Sequence, residues 1–138
     1  NTMYKRKTDS DIRCPLEYGM QLFGGKWKSR IICVLADMQI IRYSDLRDEM
    51  INITDAVLSA ALKELTKDGL IERVYHDEIP PRVEYSLTEK GRSVVPILQT
   101  ICRWSGHFFQ DTPSDLPLKH CQKCNYNPSA GKNNTRPF

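Results

Sequence analysis

Several absences narrow what this chain of 138 residues can be. No apolar run approaches the ~18 residues that a membrane-spanning helix needs, and the start carries no charged-then-apolar leader pattern. The expectation is therefore a cytoplasmic protein. There is no Ser/His/Asp set, no paired-carboxylate constellation and no glycine-rich phosphate loop, which argues against an enzyme and leaves no cofactor to expect. Charge of one sign is not in large excess: 20 Lys and Arg stand against 17 Asp and Glu, for a net +3 and a pI near 8.6. That balance is compatible with a nucleic-acid partner and argues against a binder driven by charge alone. Cysteine is sparse, odd in number at five, and scattered without a paired framework, as in a reducing compartment. The hydrophobic share of 40% suffices for one domain with a modest core.

What is present centres on residues 43–87. Ser44 opens a short helix with Leu46 and Met50 facing inward, and Met50-Ile51-Asn52-Ile53 makes a tight turn in which Asn52 tolerates the left-handed conformation. Thr54 caps a second helix with Asp55 in its first turn, where the helix dipole favours an acid. Val57, Leu58, Ala61, Leu62 and Leu65 form one apolar stripe at helical spacing. Gly69 supplies the left-handed residue that ends this helix. The opposite face carries Thr54, Asp55, Ser59, Lys63 and Lys67 with the small Ala56 and Ala60, a surface that fits deep in a major groove; with two Lys against Asp55, Glu64 and Asp68, an ordinary surface helix is the alternative. Ile71 to Asp77 and Arg82 to Leu87 alternate in character like two half-buried antiparallel strands, joined by a tip with Pro80 and Pro81. A helix, a turn, a second helix and a hairpin make a winged helix-turn-helix. The fold class expected is mostly α with a small β-hairpin, α+β.

The flanking segments serve that unit. Residues 1–13 read as a polar arm with a basic cluster at Lys5-Arg6-Lys7. Residues 14–111 are the winged domain with its dimerisation helices, and residues 112–138 a polar, proline-containing tail. Cys14-Pro15 opens a helix with Leu16, Met20, Leu22 and Phe23 on its apolar side, stopped by Gly24-Gly25. Lys26-Trp27 starts another, burying Trp27, Ile31, Ile32 and Leu35. Lys26, Lys28 and Arg30 around its first turn oppose the helix dipole, so phosphate contact or a solubilising edge must account for them. Gln39 to Arg42 is a brief strand that pairs with the hairpin. Thr88 caps a long last helix whose apolar residues from Val94 to Phe109 cover about half its circumference, wider than the ~100° stripe one domain needs. The surplus, with Ile101, Trp104 and Phe108, is assigned to a partner subunit. Pro96 falls inside this helix and should bend it.

Cys14-Pro15-Leu16, Gly24-Gly25-Lys26-Trp27, Ser44-Asp45-Leu46, Leu58 with Leu62-Lys63-Glu64-Leu65, and Asp68-Gly69-Leu70-Ile71 resemble the HxlR family of winged-helix regulators, relatives of the MarR group. Residues 80–91, from Pro80-Pro81-Arg82 to Glu89-Lys90-Gly91, are the most specific segment, and Pro96 with Trp104 continues it. The resemblance covers residues 14–109 and implies a homodimeric bacterial transcription factor on an inverted-repeat, double-stranded DNA operator, with the dimer built from the first and last helices. It also implies a thiol sensor at Cys14, because several relatives use the matching cysteine against electrophiles or oxidants. Two departures stand out. Ala56, Ala60 and Ala61 occupy a helix where more Arg or Lys is the pattern, and the tail beyond Asp111 matches nothing in the family.

The site expectations follow. Asp55, Ser59 and Lys63 contact base edges and Thr54 a phosphate, while Lys26, Lys28, Arg73 and Arg82 fix register on the backbone. Leu16, Ile101, Trp104 and Phe108 line the dimer interface. Cys14 stands at a helix start beside Arg13, a setting that favours the reactive thiolate, with an inert capping cysteine as the alternative. Cys33 reads as buried, Cys102 as core or interface, and His76 as a surface strand residue. Cys121 and Cys124 offer half the ligands of a zinc site and no second pair. The alternative function is a winged helix used purely for protein contact.

Overall fold

The computed structural model describes residues 11–109. The Lys5-Arg6-Lys7 cluster, most of the polar arm and the tail with Cys121 and Cys124 lie outside the described residues.

Five helices and three strands follow in the order α1 (Pro15–Phe23), α2 (Lys28–Met38), β1 (Ile40–Arg42), α3 (Tyr43–Met50), α4 (Asp55–Lys67), β2 (Ile71–His76), β3 (Arg82–Leu87) and α5 (Glu89–Gly106). The strands form one antiparallel sheet in the order β1-β3-β2. Register is set by Ile41 opposite Tyr85 and by Ile71 opposite Leu87, four side chains that sit on one face and are all buried. The core is completed by Ile31, Ile32, Val34 and Leu35 of α2, Leu46 and Met50 of α3, and Leu58, Leu62 and Leu65 of α4. α2 is the central member and packs against every other helix.

Local chemistry fixes the boundaries that place the site. The Val57 amide donates to Thr54 Oγ1 at 3.2 Å, which starts α4. At its other end Gly69, at φ 78°, lets its own amide reach Thr66 O at 3.0 Å and the Leu70 amide reach Leu65 O at 2.9 Å. These two bonds satisfy carbonyls that a helix end leaves open. The turn between α3 and α4 holds Asn52 at φ 62°, as expected, and also Ile51 at φ 49°. The Gly91 amide donates to Thr88 Oγ1 at 3.0 Å, so the hydroxyl cap of α5 is present.

The structure corrects four local expectations. Ser44 does not cap α3: pairing of Arg42 with Glu84 keeps the chain extended through Arg42, which takes the cap position without a side-chain bond and puts Ser44 inside the first turn. α2 begins at Lys28, with Trp27 as its cap residue. Val57 is 40% exposed and falls off the buried stripe of α4. The hairpin does not alternate along its length, because only its base reaches the core; Ile71 is buried while Val74 and Tyr75 are exposed. Cys33 and Cys102 are half-buried and unlinked. No helix among the described residues is long and apolar enough to cross a membrane.

Candidate nucleic-acid interface

α4 presents three surfaces. Leu58, Ala61, Leu62 and Leu65 face the core. Residues at 100° intervals place Ala56, Ala60, Lys63 and Lys67 on the side directly opposite, and all four are exposed. Between that outer face and the wing, Ser59, Lys63, Thr66 and Lys67 of α4 meet Arg73 of β2 and Tyr85 of β3 around a groove of about 580 Å³. Three cations thus converge along one wall and floor. Their donors suit the oxygens of a phosphate backbone. Ser59 and Lys63, expected from sequence as base contacts, and Arg73, expected as a phosphate contact, are brought together here.

Other expected residues are engaged elsewhere. Thr54 accepts the Val57 amide with its hydroxyl oxygen, which leaves its O–H to donate outward. The Asp55 carboxylate accepts from the Tyr43 hydroxyl at 2.9 Å and lies 3.4 Å from Arg47 Nε, so it braces α4 against α3 and does not stand free for a base edge. Burial holds the Tyr43 phenol above its ordinary value of 10.0; the bond to Ser59 pulls the other way, and Asp55 adds to the rise. Lys28 is largely buried, ion-paired with Glu64 of α4 and donating to Gln21 O at 3.3 Å. Its ammonium therefore ties α1, α2 and α4 together, whereas the sequence expectation was a phosphate contact. Lys26 lies over the Trp27 ring at 4.9 Å and Arg30 over the same ring at 5.1 Å, which leaves both near the surface.

On the wing, Arg82 is held by Glu78 and by Glu84 at 3.2 Å, and His76 Nε2 bonds Glu84 Oε1 at 2.7 Å. The His76 bond, ahead of the nearby Arg82 charge, keeps the Glu84 carboxyl below the usual carboxylate range. Arg82 thus stands neutralised on two sides. Among the described residues no group of three His, Cys, Asp or Glu side chains gathers to hold a metal.

Away from this face, Leu16 of α1 and Ile101, Trp104 and Phe108 around the end of α5 are all exposed, Leu16 at 71% and Phe108 at 65%. Trp104 and Phe108 rest on each other with ring centroids 5.7 Å apart. Cys14 is exposed at the N-terminus of α1 with no side-chain capping bond, and its neighbour Arg13 pairs with Glu17 at 3.2 Å. Sequence reasoning named Lys67 on the outer face without making it a site residue, although its helical phase gave the signal. Tyr85 carried no such signal; only its register opposite Arg73 brings it to the groove.

A helix-turn-helix with a three-stranded sheet and a projecting hairpin defines a winged helix-turn-helix protein. The chain matches the model of the HxlR-like helix-turn-helix family over residues 22–113, and it belongs to that family. It is 46% identical over 92 residues to the HTH-type transcriptional regulator YdzF of Bacillus subtilis, covering 67% of this chain and 84% of that protein. It is 45% identical over 96 residues to an HTH-type transcriptional regulator of Methanothermobacter thermautotrophicus, covering 70% and 72%. Among solved structures, the redox regulator HypR in its oxidised form aligns with a TM-score of 0.65 and 35% identity, covering 72% of this chain and all of that one. The reduced form of the regulator YodB from Bacillus subtilis aligns with a TM-score of 0.63 and 32% identity, covering 72% and 97%. The protein is a transcriptional regulator of the HxlR and MarR type, and the relatives above are named as regulators.

Proposed function

We propose that the protein binds an inverted-repeat operator as a homodimer, with one α4 helix from each subunit in successive major grooves about 34 Å apart. The observation that carries this reading is the convergence of Lys63, Lys67 and Arg73 on one groove beside a reading helix of small side chains. Cations from two elements face one groove, where an isolated charged helix would offer a single row. Lys63 and Ser59 reach base edges; Arg73 and Lys26 contact the backbone. The exposed apolar faces of α1 and α5 supply the dimer contact, since burial of Leu16, Ile101, Trp104 and Phe108 against a second copy removes apolar surface from water.

Regulation belongs to Cys14. Its thiol is exposed at the start of α1, one of the two helices assigned to the dimer, so a modified sulfur there changes the geometry between reading heads. That HypR and YodB are named as redox-responsive or studied in reduced and diamide-treated forms supports the same assignment. A gel shift on the DNA upstream of its own gene, repeated over a salt series, tests the binding. Affinity must fall steeply with salt and exceed that for random duplex. Equal affinity for both duplexes, or none for either, overturns it. Footprinting before and after alkylation of Cys14 tests the switch; an unchanged footprint removes it.

A further inference from the structure

The two flanks of α4 differ in chemistry. All the cations of the reading face lie toward the wing, where Lys63 and Lys67 meet Arg73. On the opposite flank Ala56, Val57 and Ala60 are exposed, and half-exposed Met20 of α1 continues them along a groove of about 710 Å³. Of the charged side chains on that groove, Lys28 and Glu64 are paired to each other and Lys26 lies over Trp27. An apolar strip therefore runs along the helix that enters the DNA, where hydrogen-bonding side chains are the usual means of discrimination.

We propose that Ala56, Val57 and Ala60 read thymine 5-methyl groups, so that each half-site carries thymine at one or two positions facing the N-terminal half of α4. The inference rests on α4 being the helix that enters the major groove. Within that groove the thymine methyl is the one apolar feature a base presents; guanine, cytosine and adenine present donors and acceptors. An alanine or valine pressed against those polar edges would strip them of water and return no partner, which is costly. Against a methyl, the same side chain buries apolar surface at no such cost. Ala56 and Ala60 lie about 6 Å apart along the helix axis, close to two base-pair steps of ~3.4 Å. Their lack of bulk lets the backbone of α4 come near enough for methyl contact. Lys63, one turn beyond Ala60, then reaches a polar edge farther along the same half-site.

The test uses the full chain and duplexes enriched from a random-sequence library, with affinity measured at one fixed salt concentration. Each thymidine of the enriched sequence is replaced in turn by deoxyuridine, which removes only the methyl. One or two replacements per half-site should weaken binding roughly fourfold each, the factor that corresponds to ~0.8 kcal/mol per buried methylene. In Ala56→Ser and Ala60→Ser, both exposed positions, binding to the parent duplex should weaken by a similar factor, and the further penalty from deoxyuridine at the facing thymidine should fall toward none. Deoxyuridine tolerated without loss at every position overturns the inference and leaves DNA binding standing, and so does a penalty that survives in both serine variants. If no duplex is enriched at all, this inference and the DNA-binding reading fail together.

Discussion

Gly91, in the first turn of α5, lies so close to Leu70 that a β-carbon there would stand 2.0 Å from the Leu70 carbonyl oxygen and 3.0 Å from its carbon. The same junction is closed by the Thr88 hydroxyl donating to Gly69 O at 2.5 Å and the Thr88 amide donating to Leu70 O at 3.0 Å. The end of α4 and the start of α5 are thereby fastened backbone to backbone. Helix propensity alone says that Gly91→Ala should stabilise by ~1 kcal/mol. The steric clash says the reverse, by about 1–3 kcal/mol, because both partners are backbone and neither can swing aside. Denaturant midpoints decide by their sign.

Lys28 and Lys63 should separate into a structural and a DNA-contacting cation. With its ammonium on Glu64 and Gln21 O, Lys28→Ala should lower folding stability on the order of 1 kcal/mol, since Glu64 is still about half exposed. It should leave the salt slope of DNA binding unchanged. Lys63→Ala should do the opposite, preserving thermal stability while costing about 1–3 kcal/mol of operator binding. Thermal melts and salt-titrated gel shifts on both variants check the division.

The wing carries an acid-side pH dependence. Glu84 is held below its ordinary value of 4.5, first by the bond from His76 and further by Arg82. A carboxyl depressed in the folded state contributes stability that is fully present above pH 4.5 and is lost as pH falls through the lower folded value. Glu84→Gln should therefore be less stable than the parent near neutrality and converge with it in acid. Parallel curves at all pH values would contradict the assignment. Tyr43 works at the other end: its phenol is raised above 10.0, so its contribution is complete below that pH and disappears as pH climbs through the folded value.

Ile101→Asp and Trp104→Ser should dissociate the proposed homodimer while each protomer stays folded. Both side chains are about half exposed in the single chain, so neither change opens a cavity in the core. Sedimentation at micromolar concentration should show a monomer with undiminished helical circular dichroism. An intact dimer in both variants would move the interface elsewhere.

Much of this molecule was legible in local chemistry. Thr54, Gly69 and Thr88 bound their elements because a cap or a left-handed residue acts within one turn of itself, so a short stretch of sequence contains everything needed. The apolar periods of α2 and α4 fixed which sides are buried, and the Pro80 to Gly91 segment carried the family. At Ser44, one of the four local corrections, pairing with Glu84, 42 residues along the chain, claims Arg42 and shifts the helix start. The division of labour among charged residues belonged to the tertiary structure alone. Asp55 faces Tyr43 and Arg47, Lys28 faces Glu64, and Arg82 faces Glu78 and Glu84, while Lys63, Lys67 and Arg73 share one groove. Helical spacing tells which side of its own element a charge occupies. What stands across from it depends on how elements distant in the chain dock, and only folding sets that distance.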